Sequence, residues 1–447
     1  MEDPRQTIAN APMSRFQIAA VAVCVLATAL DGFDVLSVSF ASPGIADEWN
    51  IDRAGLGVVL SMELVGMAIG SIAIGALADK VGRRPVILGC LTLMAAGMAL
   101  AAVARDIVTL SVIRLVTGIG IGGMLAATSA MVAEYSNIRT KNFSVAAMAT
   151  GYPLGAAFGG AIASVLLAHF DWRSVFALGA ALTAAVIPVA YHFLPESIEF
   201  LVDSRPKGAL EKTNALLRRM SHTPIDALPD VRARTHRTTI SRLFAPDLVR
   251  ATIFLTAAYF AHIVTFYFIL KWTPKIVVDL GYSPSAAGGV LVWTSLGGAL
   301  GATVLGLLTR KYKLRSLIIA VLLFSAISVA AFGAAHPNLN QLTVVAATAG
   351  FFTNSAIVGL YALFAQSFPT EVRAGGTGFV IGVGRGGAVA APMIAGLLFQ
   401  YGMSLQHVAL LMAAGSIVAA ALLFALGADR SVAASNARAG ALPTAHR

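Results

Sequence analysis

The chain has 447 residues, of which 57% are hydrophobic and only 12% charged. A soluble domain carries about 25% charged residues, so a water-soluble fold is excluded. The formal charge of +10 does not indicate nucleic acid, because the cations sit in short links between apolar runs.

Twelve apolar runs are each long enough to cross a hydrocarbon layer of roughly 30 Å as a helix. They span 17–40, 54–78, 85–104, 107–133, 142–168, 173–194, 251–271, 284–308, 315–335, 341–366, 375–400 and 405–427. The first is too long for a signal-peptide core and no A-x-A-like site follows it, so it is read as a retained span. It contains "ATALDGFDVLSV", which puts Asp31 and Asp34 three residues apart on one helix face in an otherwise apolar segment. A carboxylate at that depth is costly and marks an ion pathway or proton relay. Loss of water disfavours its charged form, which suits a group that takes up and releases protons. Glu63 in "LSMELVGM" adds a third carboxylate, in the second span, and is a further candidate for proton coupling.

The link after the second span reads "GALADKVGRRP". Gly75 is expected to allow close helix approach, Asp79 to pair with a cation, and Arg83 and Arg84 to act as fixed donors. In the fourth span "RLVTGIGIGG" spaces Gly118 and Gly122 for tight packing and places Arg114 inside the membrane, where an arginine turns to a cavity or an anion. Glu134 and Arg139 follow in "EYSNIR". Cys24 and Cys90 both fall in spans, and their spacing supports neither a disulfide framework nor a zinc site.

Residues 196–250 hold ten Lys or Arg and seven Asp or Glu and form a solvated linker. Within it "KGALEKTNALLRRM" has the spacing of a short amphipathic helix. The chain thus divides into a six-helix half over 1–195, the linker, a second half over 251–427, and a tail over 428–447 whose composition predicts disorder. The seventh span ends, on this reading, at Lys271, which with Lys275 lies in the following link. "GALADKVGRR" from Gly75 recurs as "GLLTRKYKLR" from Gly306, an offset of 231, and "EYSNIR" has its partner in "PTEVR", with Glu371 and Arg373. The same offset carries Asp31 to His262, a titratable counterpart and a candidate substrate contact.

Tyr259, Phe266, Tyr267 and Tyr361 are candidates to stack on an aromatic ring, with Asn354 as a further substrate contact. Arg385 lies among Gly384, Gly386 and Gly387 in the eleventh span; a guanidinium holds a carboxylate through two parallel hydrogen bonds. Links 79–85, 134–141 and 310–315 carry net charges of +2 (Asp79 against Lys80, Arg83 and Arg84), +1 (Glu134 against Arg139 and Lys141) and +4 (Arg310, Lys311, Lys313 and Arg315). The first alternate link, with Asp47, Glu48, Asp52 and Arg53, is net −2. Positive links face the cytoplasm, which places both termini there.

"GALADKVGRR" meets every element of the G-x-L-[AS]-D-[RK]-x-G-R-[RK] loop of the major facilitator superfamily, and with "RLVTGIGIGG" the chain resembles that superfamily over nearly its whole length. "DGFD", "PESIEFL" and "GVGRGGAVAAP" narrow the resemblance to its aromatic acid:proton symporters. The resemblance implies an all-α membrane protein of twelve transmembrane helices in two pseudo-symmetric halves. It also implies uptake of a benzoate- or hydroxybenzoate-type acid with protons by alternating access. By the same resemblance Asp31 and Asp34 are the motif carboxylates, and Arg114 and Arg385 the arginines of the fourth and eleventh helices. Gly75, Asp79, Arg83, Arg84, Glu134, Arg139, Glu371 and Arg373 are the conformational set, although "LTRKYK" lacks the acidic residue of the first copy. Protons are the only coupling species expected, with no metal, no other cofactor and no nucleic acid. The expected setting is a monomer in a bacterial inner membrane. A carrier of another organic acid, an exporter and a non-transporting receptor are the alternatives; an enzyme is disfavoured, since no nucleophile sits with a base.

Overall fold

The computed structural model describes residues 3–229, 240–334, 338–369 and 372–439. Among them there is no strand. The helices are α1 (Pro4–Asn10), α2 (Arg15–Glu48), α3 (Arg53–Val81), α4 (Arg83–Ala102), α5 (Ile107–Tyr135), α6 (Lys141–Leu166), α7 (Arg173–Phe193), α8 (Ile198–Ser204) and α9 (Ala209–Arg219). A 3-10 turn at Ile240–Phe244 leads into α10 (Val249–Asp279), α11 (Pro284–Leu308), α12 (Leu314–Ala334), α13 (Leu339–Ser367), α14 (Arg373–Gly384), α15 (Gly386–Gln400) and α16 (Leu405–Ala439). Twelve segments are long and apolar enough to cross a membrane, α14 and α15 together supplying one of them. α2–α7 form one bundle and α10–α16 the other.

Asp52, Asp106, Ser283 and Asn338 each accept a backbone N–H in the first turn of α3, α5, α11 and α13. These side chains satisfy donors that a helix leaves open at its start. All four starts lie on one face of the bundle. Residues 3–14 and the described parts of the linker, 196–229 and 240–248, lie on the other, here termed the terminal face.

Small residues set the helix spacing within each half. A side chain at Gly66 or Gly70 of α3 would overlap the carbonyls of Leu115 and Ile119 on α5, and one at Gly118 or Gly122 would overlap those of Glu63 and Met67. The second half repeats the seam: Gly297 and Gly301 of α11 lie against Ala347 and Phe351 of α13, and Gly350 against Thr294. Gly66 and Gly70 correspond to Gly297 and Gly301 at the offset of 231 already present in the loops. Gly75 is not part of this seam, contrary to expectation, since a Cβ there would meet only Ala126 at an ordinary 3.6 Å. Gly118→Ala is therefore expected to lower the melting temperature of the purified protein through overpacking worth about 1–3 kcal/mol. Gly75→Ala should leave it unchanged or raise it, because alanine is the better helix former. Equal melting of the two variants would remove the distinction.

The two halves meet through α3 against α15, α6 against α11, and α2 against α10. Ser61 donates to the carbonyl of Val389 at 2.8 Å and Gln400 to Asp52 at 3.0 Å. Arg53 pairs with Asp279 at 3.0 Å. Every hydrogen bond and ion pair between the bundles, among the described residues, lies in the half of the molecule away from the terminal face. That opposite face is the sealed one.

Two segments differ from the sequence expectation. α10 continues past Lys271 through Trp272 and Pro274 to Asp279, so Lys271 is inside a span and fully buried rather than in a link. α16 continues to Ala439 where a disordered tail was expected, in keeping with the helix-forming Ala433, Ala434, Ala437 and Ala439; residues 440–447 lie outside the described set.

Candidate functional site

Five buried ionisable side chains converge where α2, α3, α5 and α10 meet. Asp31 and Asp34 are each 1% exposed, and Glu63, Arg114 and Lys271 are fully buried. Arg114 Nη1 lies 3.2 Å from Asp34 Oδ1, its Nη2 donates to the Asp34 carbonyl at 2.9 Å, and Nη2 also contacts Glu63 Oε1. Lys271 Nζ lies 3.4 Å from Glu63 Oε2 and donates to the carbonyl of Val35. One guanidinium thus ties α2 to α3 within the first half, and one ammonium ties both to the second half. Neither oxygen of Asp31 has a hydrogen-bond partner. Two acids have cations and the third has none, which separates the roles of the two aspartates that share a helix face.

A second group lies between the bundles. A pocket of about 20 Å³, room for roughly one water, is lined by Leu36, Tyr152, Phe266, Leu270, Thr294 and Asn354, among others. Beside it, Arg385 stands at the break between α14 and α15. A side chain at Gly384 would strike the ring of Tyr259, and one at Gly387 the Phe260 carbonyl, so the glycines are what let α10 come close to the arginine. The groups in electrostatic reach of Arg385 are Tyr152, Tyr259, Tyr267 and Tyr361. Among the described residues its side chain has no ion pair or hydrogen bond. The hydroxyls of Tyr259 and Tyr361 share a hydrogen bond at 2.9 Å, and Tyr152 faces Tyr267 across the bundles. Asn354 Nδ2 donates to the Gly298 carbonyl at 2.8 Å.

His262 is placed differently from the expectation for a ligand contact. Its Nε2 lies 2.9 Å from the carbonyl of Thr353 and its Nδ1 2.9 Å from the hydroxyl of Ser416. A carbonyl only accepts, so Nε2 carries the proton and Nδ1 accepts from Ser416. Both nitrogens are thereby engaged inside the second half. Arg114 is likewise engaged by carboxylates of its own bundle, leaving Arg385 as the arginine open to a ligand.

The charged set at the terminal face is centred on Arg83. Its Nη1 lies 2.6 Å from Glu134 and donates to Ser197 at 2.7 Å, and its backbone N–H donates to Glu196 at 2.8 Å. Gly82 permits this turn with φ of 104°, a value that disfavours any side chain. Asp79 is 3.8 Å from Arg83 and largely exposed, so the stronger partner of Arg83 is Glu134. Arg84 Nη2 donates to the carbonyl of Tyr191 at 2.7 Å. Arg139 is exposed, Arg373 opens α14, and Glu371 lies outside the described residues.

A model of the Major Facilitator Superfamily matches residues 24–277 and 254–446. The chain belongs to that superfamily. Within it, the gallate transporter of Pseudomonas putida is 31% identical over 96% of each chain. The 4-hydroxybenzoate transporter PcaK of the same organism is 30% identical over 91% of each. Among solved structures, a D-xylose–proton symporter superposes with a TM-score of 0.71 at 14% identity, covering 91% of this chain and 97% of that one; at that identity the likeness concerns the fold. Membership makes this superfamily protein a membrane transporter rather than an enzyme.

Sequence reasoning missed two members of its site. Lys271 reads as part of a link because the apolar run weakens at "KWTPK", yet Trp272, Ile276, Val277 and Val278 continue the helical pattern beyond it. Tyr152 in "GYPLG" carries the weaker cue, a polar-tipped ring next to Pro153 in mid-span.

Proposed function

We propose that this transporter imports a small aromatic carboxylate of the benzoate or hydroxybenzoate type together with protons. The observation that carries the reading is Arg385, a cation with no carboxylate, at a helix break among four tyrosines. Such a guanidinium suits a carboxylate, and the neighbouring rings suit an aromatic face. The names of the relatives, gallate and 4-hydroxybenzoate transporters, point the same way.

In this reading the terminal face is cytoplasmic in a bacterial inner membrane, as the positive links favour, and a single chain suffices without any cofactor. The sealed seam on the opposite face then corresponds to a transporter facing inward. The pocket of about 20 Å³ is too small for a ring, so substrate entry requires the bundles to part around it. Asp31, which lacks a cation or donor, takes the proton, while Asp34 and Glu63 hold Arg114. The set around Arg83 and Glu134 stabilises one end-state of the rocking motion.

Purified protein in liposomes with an imposed pH gradient, acid outside, is expected to accumulate labelled 4-hydroxybenzoate. Asp31→Asn should abolish that accumulation while retaining exchange of internal for external substrate, because a neutral amide replaces the protonated acid. Gradient-driven accumulation by Asp31→Asn equal to the parent would exclude the assigned role. No transport of any aromatic acid by the parent would exclude the substrate class.

A further inference from the structure

Lys271 is the one ammonium buried among the membrane-spanning helices of the described structure, and no sequence motif points to it. It belongs to α10 in the second half, yet both partners of its ammonium, Glu63 on α3 and the Val35 carbonyl on α2, belong to the first. It is therefore the only charge in the buried cluster that crosses the seam, and it does so on the sealed face. If the bundles part there, Lys271 leaves with its own half. Asp34, Glu63 and Arg114 then remain together, two carboxylates with one cation.

We infer that Lys271 and a proton compete for Glu63, so that closing the seam on the face opposite the termini expels the proton and opening it invites one. With the seam closed, the ammonium supplies the second positive charge and Glu63 stays ionised. With the seam open, that charge is missing and a proton replaces it. The balance is simple: protonated Glu63 meets the Lys271 ammonium, the carboxyl O–H breaks, the ion pair forms, and the proton leaves to water on the terminal face, where no hydrogen bond or ion pair among the described residues joins the bundles. A lysine suits the role because its charge is a compact point on a flexible stem, able to leave as a unit. An unpaired carboxylate in such a site is costly enough to enforce the exchange.

The groups around Glu63 leave no other cation to take this part. α2 brings Asp31 and Asp34, α5 brings Arg114, α6 brings Tyr152, and α10 brings Tyr267 beside Lys271. α4 brings Cys90 near Asp31. α15 presents the backbone of Val389 and Pro392 to Ser61 and Gly57. Arg114 stays with α3 on its own side of the seam.

The inference rests on the proton-coupled reading for its place in transport, but its test needs no aromatic acid, so the two can fail separately. Ser61→Cys, in a Cys24→Ala and Cys90→Ala background, puts a thiol at a fully buried seam position that bonds across to Val389. Reaction of the full chain in nanodiscs with a bulky charged maleimide then reports seam opening. Each labelling rate is divided by that of a small free thiol at the same pH, which removes the loss of thiolate; this normalised labelling of the reporter protein is expected to be slow at pH 8 and to quicken toward pH 5, as a proton displaces Lys271 from Glu63. Lys271→Met should label faster by on the order of ten- to a hundredfold at pH 8, the weight of one charge-assisted hydrogen bond in a buried site, and should lose the pH dependence. Glu63→Gln should behave alike, and Lys271→Arg should restore both slow labelling and pH dependence. A merely structural lysine would predict faster labelling of Lys271→Met with the pH dependence intact, and that outcome overturns the inference, as does labelling of Lys271→Met at the reporter rate. If Lys271→Met does not fold, a pH-independent Glu63→Gln still supports the inference and a pH-dependent one overturns it.

Discussion

Arg114→Leu is expected to melt well below the parent and to transport nothing. The substitution removes the cation that pairs with Asp34 and the one that holds Glu63 from within its own half. The carboxylate and the carbonyl of Asp34 then lose their donor at once, and Glu63 keeps only Lys271. Removing one partner of a buried pair costs on the order of 3–5 kcal/mol, because the remaining charge stays buried without compensation. Arg114→Lys should fall between, since an ammonium keeps the charge but lacks the fork that reaches α2 and α3 together. The double variant Arg114→Leu and Asp34→Asn, which leaves Glu63 paired with Lys271, should recover much of the melting temperature and none of the proton-driven accumulation. Thermal unfolding of detergent-purified proteins and gradient-driven uptake supply the two measurements. An Arg114→Leu protein as stable as the parent would show that the cluster has little part in holding α2, α3 and α5 together.

Arg385 should respond in the opposite sense for stability. Its side chain satisfies no carboxylate in the folded chain, so Arg385→Ala is expected to fold and melt like the parent, while binding of 4-hydroxybenzoate collapses. Arg385→Lys keeps the charge and loses the planar fork. Loss of a charge-assisted bond in a partly desolvated site is worth about 1.5–3 kcal/mol, which is roughly ten- to a hundredfold in affinity. Calorimetric titration of the folded variants reads this directly. Lysine and alanine variants that both bind like the parent would make Arg385 a structural residue at the helix break.

Much of the architecture is legible along the chain. Apolar runs of about twenty residues can only be lipid-facing or buried helices, and the twelve runs coincide with twelve spanning segments. The glycine spacing in "RLVTGIGIGG" reports helix contact, and the seam of α3 with α5 lies there. Carboxylates and arginines in apolar runs stand out because each is costly in lipid, which is how Asp31, Asp34, Glu63, Arg114 and Arg385 are found without coordinates.

Partnership is not legible in that way. Asp31 and Asp34 share a helix face and a motif, yet one meets Arg114 and the other meets nothing, a difference made by which neighbouring helix stands opposite each residue. His262 resembles a relay in sequence, but Thr353 and Ser416, some ninety and a hundred and fifty positions away, occupy both its nitrogens. Gly75 belongs to the most recognisable motif and contacts little, while Gly118 cannot carry a side chain at all. Lys271 looks like the end of a span because hydropathy averages along the chain, whereas its position is favourable through Glu63 and Val35, more than two hundred residues earlier. Hydrophobic patterning records the cost of each residue in water or lipid one position at a time; the choice of partner depends on distances across helix seams, and those exist only once the two bundles have packed.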